Sequence, residues 1–175
     1  MKVAVVGYSG SGKSTLAVRL GEMLCCPVLH LDKIQFLPGW IDRDRDEARG
    51  MAEGFLDREK DGWVIDGNYS KLHFERRMAE ADLIVFMKFP RRICLPQAFY
   101  RNWKYKGKVR ESIAEGCQEK MDWEFFMWIV KNGRCGGHKE LFDNLTASYG
   151  RKVVVVKNHR QVNRCMELLR RRLES

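Results

Sequence analysis

Long apolar runs are missing from this chain of 175 residues, and nothing approaches the roughly 20 that a membrane span needs. Proline is scarce at 4 and glycine totals 15, in a chain that is 45% hydrophobic and 31% charged, which excludes disordered, collagen-like and low-complexity scaffolds. The first residues turn to glycine after four apolar side chains, short of the about 7–15 apolar residues of an export signal. The six cysteines (Cys25, Cys26, Cys94, Cys117, Cys135, Cys165) make no CxxC pair. They are therefore expected as reduced thiols in a cytoplasmic protein. Cys135-Gly-Gly-His138 is the one metal-like pair, and no second pair completes the four ligands of a structural zinc site. Linkers rich in Pro, Gly and Ser are absent, as are internal repeats, so residues 1–175 are expected to form a single domain.

What is present is positive charge and alternation of elements. Lys+Arg number 32 against 23 Asp+Glu, a net charge of +9 that suits anionic partners without choosing among nucleotides, nucleic acid and acidic surfaces. Apolar runs at 3–6, 28–31, 63–65, 83–87 and 153–156 read as buried strands. Helical patterns occupy 13–24, 44–60, about 70–80 and the basic C-terminal stretch carrying Val162, Met166, Leu169 and Leu173. Strands alternating with helices predict an α/β domain with a parallel sheet covered on both faces. The nearly all-apolar stretch 121–130 is expected as a helix buried beside that sheet.

The first strand runs straight into Gly7-Tyr8-Ser9-Gly10-Ser11-Gly12-Lys13-Ser14-Thr15, which matches GxxxxGK[ST] in its required setting of strand before and helix after. Glycines let backbone N–H groups curl around a phosphate with no Cβ in the way. The helix that starts near Lys13 adds the positive end of its dipole. Lys13 is placed to reach the β- and γ-phosphates of ATP, and Ser14 to offer its hydroxyl to Mg²⁺. The chain is too short for the added domains of most remodelling ATPases and carries no NKxD motif of the GTPase kind. A compact P-loop phosphotransferase is the expected class.

Two acids fall at the carboxyl ends of strands, where open parallel sheets bind ligands. Asp32 follows the second strand and Asp66 the third. One would orient Mg²⁺ and its waters, a task assigned to Asp66 together with Ser14. The other would accept a proton from the attacking hydroxyl; the order of the two stays open, and each also suits a helix N-cap. The stretch from Arg101 to Arg110 interleaves cations with Trp103 and Tyr105. It reads as a lid whose Arg101 or Arg110 closes on the phosphates, as a nucleic-acid surface, or as a solvated helix face. Residues 33–60, with Trp40, Arg43 and Arg45, are the expected acceptor-binding region.

The loop, Leu31-Asp32 leading to Pro38-Gly39-Trp40, Ile65-Asp66-Gly67-Asn68-Tyr69, and Arg110 followed by Ala114-Glu115-Gly116-Cys117 and Glu119 occur in that order. In this the chain resembles the bacterial DNA topology modulation (FlaR-type) proteins, relatives of adenylate kinase, from Val3 to about Leu169. The resemblance implies a P-loop NTPase fold with a five-stranded parallel sheet in the order 2-3-1-4-5, helices on both faces and a short lid over about 104–120. It implies an active-site arginine at Arg77 and an adenine site around Asn158 and Arg160. Asp66-Gly67-Asn68-Tyr69 lacks the Pro-Arg that follows Asp-Gly-Phe in true adenylate kinases, and within the resemblance this departure speaks against AMP as acceptor. Together these readings predict an ATP·Mg²⁺-binding phosphotransferase with a small-molecule or nucleotide acceptor. The alternative is a nucleic-acid-associated regulator that uses ATP as a switch.

Overall fold

The computed structural model describes residues 1–105, 112–117 and 121–174. In chain order they form β1 (Lys2–Gly7), α1 (Lys13–Leu24), β2 (Val28–His30), α2 (Leu31–Gln35), β3 (Phe36–Leu37), β4 (Ile41–Asp42), α3 (Arg45–Arg58) and β5 (Trp63–Asp66). Then follow α4 (Phe74–Glu80), β6 (Leu83–Met87), α5 (Arg91–Lys104), α6 (Trp123–Val130), α7 (Gly137–Tyr149), β7 (Val153–Val156) and α8 (His159–Glu174). Five strands pair in parallel in the order β2-β5-β1-β6-β7, the expected 2-3-1-4-5 order of an α/β P-loop fold. The antiparallel β3–β4 hairpin is additional and escaped the sequence reading, because each of its strands is only two residues long.

The strands read as unbroken apolar runs because both of their faces are covered. Ala4, Val6, Ile65, Ile84 and Phe86 point into one core with Ala52 and Leu56 of α3, Met78 of α4, and Phe142 and Leu145 of α7. Val3, Val5, Val64, Val85 and Met87 point the other way, against Leu16 and Leu20 of α1, Cys94 and Ala98 of α5, and Val162, Met166 and Leu169 of α8. This period-two alternation in a doubly covered sheet leaves only the strand ends open for ligands. No helix among the described residues is long and apolar enough to cross a membrane.

One expectation is overturned. The apolar helix α6 is not sunk beside the sheet: only Ile129 is buried, while Trp123 is 74% exposed. It lies along α5 instead, with Phe125 under the Arg101 guanidinium and the Trp128 indole N–H donating to Ser9 Oγ at 3.0 Å. Composition alone could not tell a core helix from one flanking the glycine loop.

The contact of α1 with the sheet edge is tight enough to test. A Cβ on Gly21 would stand 2.2 Å from Val28 Cγ2, and valine cannot swing away easily. Gly21→Ala should therefore lower the free energy of unfolding by about 1–3 kcal/mol by overpacking, against the roughly 1 kcal/mol that alanine's helix propensity would contribute. Adding Val28→Ala should recover part of that loss, measured by chemical denaturation.

Candidate active site

β1 ends at Gly7, whose φ of 146° and packing against Met87 (2.5 Å from an added Cβ to the carbonyl oxygen) require glycine. The Asn68 amide clamps this residue from the next strand end. Its Oδ1 accepts from the Gly7 N–H at 3.0 Å, and its Nδ2 donates to the Gly7 carbonyl at 2.7 Å. Gly10, at φ 78°, presses against the Cys94 carbonyl of α5, where a Cβ would sit 2.5 Å away. The loop is thus held as bare backbone between β6, α5 and Asn68.

Gly12 caps α1 without any side-chain hydrogen bond, so the first-turn N–H groups have no side chain to satisfy them. Ser11 Oγ is buried and has no hydrogen-bond partner among the described residues. Lys13 Nζ donates to the Tyr8 carbonyl at 3.2 Å. Burial pulls the Lys13 pKa down, while Asp66 and then Asp32 oppose that shift. Orphaned donors around a partly desolvated ammonium fit a nucleotide phosphate chain. Among the described residues no three His, Cys, Asp or Glu side chains gather into a metal cage. The residues that would hold a Mg²⁺ are Ser14, at the start of α1, and Asp66, at the end of β5, with oxygens of phosphate and water completing its shell.

The two carboxylates are cross-braced. β2 and β5 run in register with His30 opposite Asp66, and His30 Nδ1 lies 2.5 Å from Asp66 Oδ1, both side chains being buried. Beyond the strand ends, the Tyr69 hydroxyl donates to Asp32 Oδ1 at 2.6 Å. Each strand end supplies one acid and the partner of the other. Burial and the neighbouring Asp32 push the Tyr69 pKa up, so the phenol keeps its proton and stays a donor.

The remaining candidates divide. The charge of Arg101, on α5, adds to burial in lowering the Lys13 pKa, and its guanidinium lies over the Phe125 ring of α6. Ser14 is partly buried and Thr15 exposed at the start of α1. Arg77, expected to face the active site, is instead fully buried on α4. Its guanidinium donates to the carbonyls of Leu72 (2.8 Å), Gly67 (3.3 Å) and Tyr69 (2.7 Å), and burial brings its pKa down to about 9. It braces from beneath the loop that carries Asn68 and Tyr69, because a desolvated guanidinium must find backbone acceptors there. Asn158 accepts from the Gln161 N–H at 3.0 Å at the start of α8, and Arg160 is exposed. Their neighbour His159 packs on Phe89 and is hydrogen-bonded to Gln97, whose amide oxygen lies 4.0 Å from where a Cβ on Gly12 would stand. Arg110 lies outside the described residues.

Sequence reasoning missed His30, Asn68 and Tyr69, although each sits within two or three residues of an acid it had singled out. It also missed Arg134, whose guanidinium lies 3.8 Å from the Tyr8 ring centroid and donates to the Ile129 carbonyl (3.0 Å) and Cys94 Sγ (3.2 Å). Only the fold brings that arginine, from the segment after α6, to the glycine loop. Residues 112–117 dock on the hairpin, with Ile113, Ala114 and Cys117 packed against Phe36 and Trp40. Two hydrogen bonds fasten them, Gly39 N–H to the Gly116 carbonyl at 3.4 Å and Cys117 Sγ to the Leu37 carbonyl at 3.3 Å.

Comparison with solved structures finds the same fold in proteins of low sequence identity. The chain is similar to a shikimate kinase from Acinetobacter baumannii in complex with shikimate, with 14% identity over 99% of this chain and 93% of that one and a TM-score of 0.59. It is similar to the deoxyadenosine kinase from M. mycoides with bound dATP, at 14% identity, full coverage of both chains and a TM-score of 0.57. A gluconokinase from Sinorhizobium meliloti matches at 14% identity over 99% of this chain and 95% of that one, with a TM-score of 0.52. No protein-family model and no curated protein sequence matches the chain. Identities this low establish the fold. The likeness to DNA topology modulation proteins rests on sequence motifs alone.

Two substitutions separate binding from bracing. With its pKa lowered in the folded state, Lys13 binds its proton more weakly there than in the unfolded chain. That costs stability below the folded value, and the cost is relieved as pH rises towards 10.5. Lys13→Met should thus melt at or above the wild-type temperature at neutral pH, yet bind ATP·Mg²⁺ about ten- to hundredfold more weakly by calorimetry. Arg77→Met leaves three carbonyls without their donor and should destabilise the chain by about 2–4 kcal/mol in chemical denaturation.

Proposed function

We propose that this chain is a small-molecule kinase that binds ATP·Mg²⁺ in the loop 7–15 and transfers the γ-phosphoryl group to an acceptor hydroxyl. The observation that carries the reading is a pair of strand-end carboxylates, each fixed by its own partner, whose charges both act on the Lys13 ammonium of the glycine loop. A glycine loop that only gripped phosphate would need neither acid.

The braces also support a division of labour. Asp66, 5% exposed and held by His30, lies deepest and is the stronger of the two influences on Lys13. It suits the metal's water shell. Asp32 is partly exposed and sits at the base of the hairpin, on the side assigned to the acceptor. In this scheme Asp32 takes the proton of the acceptor hydroxyl as its oxygen bonds to phosphorus. The bond from phosphorus to the β-bridging oxygen breaks, and ADP leaves. Mg²⁺, when bound, neutralises charge on the β- and γ-oxygens. Lys13 and Arg101 hold the phosphates, Tyr69 keeps Asp32 in place, and Arg77 acts as a positioning residue beneath them. The lid expected over about 104–120 lies largely outside the described residues, Arg110 included; in this scheme Arg110 is assigned to the migrating group, and the residues at the start of α8, Asn158, His159 and Arg160, to the adenine. The fold likeness supports this kinase-like core rather than an action on DNA.

The reading is tested by kinetics on a panel of small hydroxyl compounds, followed through ADP release. Asp32→Asn should lower kcat about 10²–10⁴-fold with ATP affinity retained, as expected for loss of a general base. Unchanged turnover would move the base elsewhere. Arg110→Ala should cost about 10³–10⁵ in kcat while melting stays near wild type, and Arg110→Lys should not restore full activity, since an ammonium lacks the planar fork. Full activity in Arg110→Ala would remove this residue from the site.

A further inference from the structure

Beyond Asp32 the cleft has an aromatic rim. The Tyr69 hydroxyl meets Asp32, the Phe36 ring approaches Tyr69 edge-on at 6.4 Å, and Trp40 approaches Phe36 edge-on at 5.2 Å. All three rings are partly exposed. A chain of ring surface therefore starts at the proposed base and runs outward along the hairpin.

The backbone at Trp40 is a second observation. It stands at φ 66° directly after Gly39 at φ 80°, both left-handed, in the three-residue connection between β3 and β4. Glycine is at home there and a bulky side chain is a true outlier. Strain of this kind persists where the surroundings impose it and gathers at functional sites. The indole is held at the rim at the expense of the backbone.

Charge narrows the occupant further. The Tyr69 hydroxyl feels three carboxylates, Asp32, Asp66 and Asp42. The hairpin's own cation, Arg43, donates to the Ile34 carbonyl and pairs with Glu47, and Arg77 is committed to backbone carbonyls. A rim of partly exposed rings over fixed carboxylates favours a flat neutral molecule and repels an anionic one. Resting on the kinase reading above, we propose that the acceptor is a neutral nucleoside, its hydroxyl over Asp32 and its planar base against Phe36 and Trp40, rather than a nucleotide or a ring-free polyol.

The test is calorimetry on the full chain with its donor site filled by a non-hydrolysable ATP analogue and Mg²⁺. Adenosine, guanosine, cytidine and thymidine, their 5′-monophosphates and sorbitol are titrated in turn. At least one nucleoside should bind, and its monophosphate should bind more weakly. Trp40→Ala should weaken the nucleoside about five- to hundredfold, the range expected for loss of one stacking ring, with affinity for the ATP analogue unchanged. Trp40→Phe should keep most of the affinity. Trp40→Gly, which relieves the backbone strain and so guards against misfolding, should still lose it. Asp42→Asn should narrow the gap between nucleoside and monophosphate. Binding of sorbitol or of the monophosphates in preference to every nucleoside, no nucleoside binding, or indifference to Trp40 would each overturn the proposal. A nucleoside bound through Trp40 but never phosphorylated by ATP would contradict the kinase reading alone and uphold the ligand assignment.

Discussion

Carboxylates beside the proposed phosphate site would repel their own ligand unless each were fixed and offset by positive charge, and the carboxyl edge of the sheet meets that constraint. Lys13 feels the charge of both Asp66 and Asp32. His30 holds the first acid and Tyr69 the second, and both braces cross from β2 to β5. The Arg77 guanidinium fastens the segment that presents Asn68 and Tyr69, and Asn68 in turn clamps Gly7. The glycine loop, the two acids and, through the Phe36–Tyr69 ring contact, the hairpin are thereby one connected structure rather than three adjacent ones. Preorganisation of this kind lets charge be met in the transition state without rearrangement at the moment of reaction.

A second connection runs from the hairpin to residues 112–117, through the packing of Cys117, Ile113 and Ala114 on Phe36 and Trp40. That segment follows Arg110 in sequence, and Arg101 at the end of α5 precedes it. An acceptor resting on the hairpin would therefore touch the same body that borders the proposed lid.

Much of the fold was legible because its signals are local. Strands buried on both faces must be apolar without interruption, as 3–6 and 83–87 are, and the spacing of Gly7, Gly12 and Lys13 carries its chemistry wherever it follows a strand. The braces were illegible for a physical reason: His30 meets Asp66 only through the register of two parallel strands far apart in sequence. Arg134 reaches Tyr8 only because α6 lies along α5 at the cradle. That same placement defeated the expectation of a core helix at 121–130, since hydrophobicity around the whole of α6 does not say which neighbour covers it. Arg77 went astray because a motif position fixes where an arginine sits in the chain, not which way its guanidinium turns. Asp32 and Asp66 could be named from their place after strands, whereas their different depths could not.

The central claim is that phosphoryl groups leave ATP for a hydroxyl seated over Asp32. Phosphorus NMR of the chain incubated with ATP·Mg²⁺ and a mixture of neutral hydroxyl compounds reads this directly. The account predicts a phosphomonoester resonance that grows in step with ADP and is absent with Lys13→Met. ADP accompanied only by inorganic phosphate, or a phosphomonoester formed equally well by Lys13→Met, would contradict it.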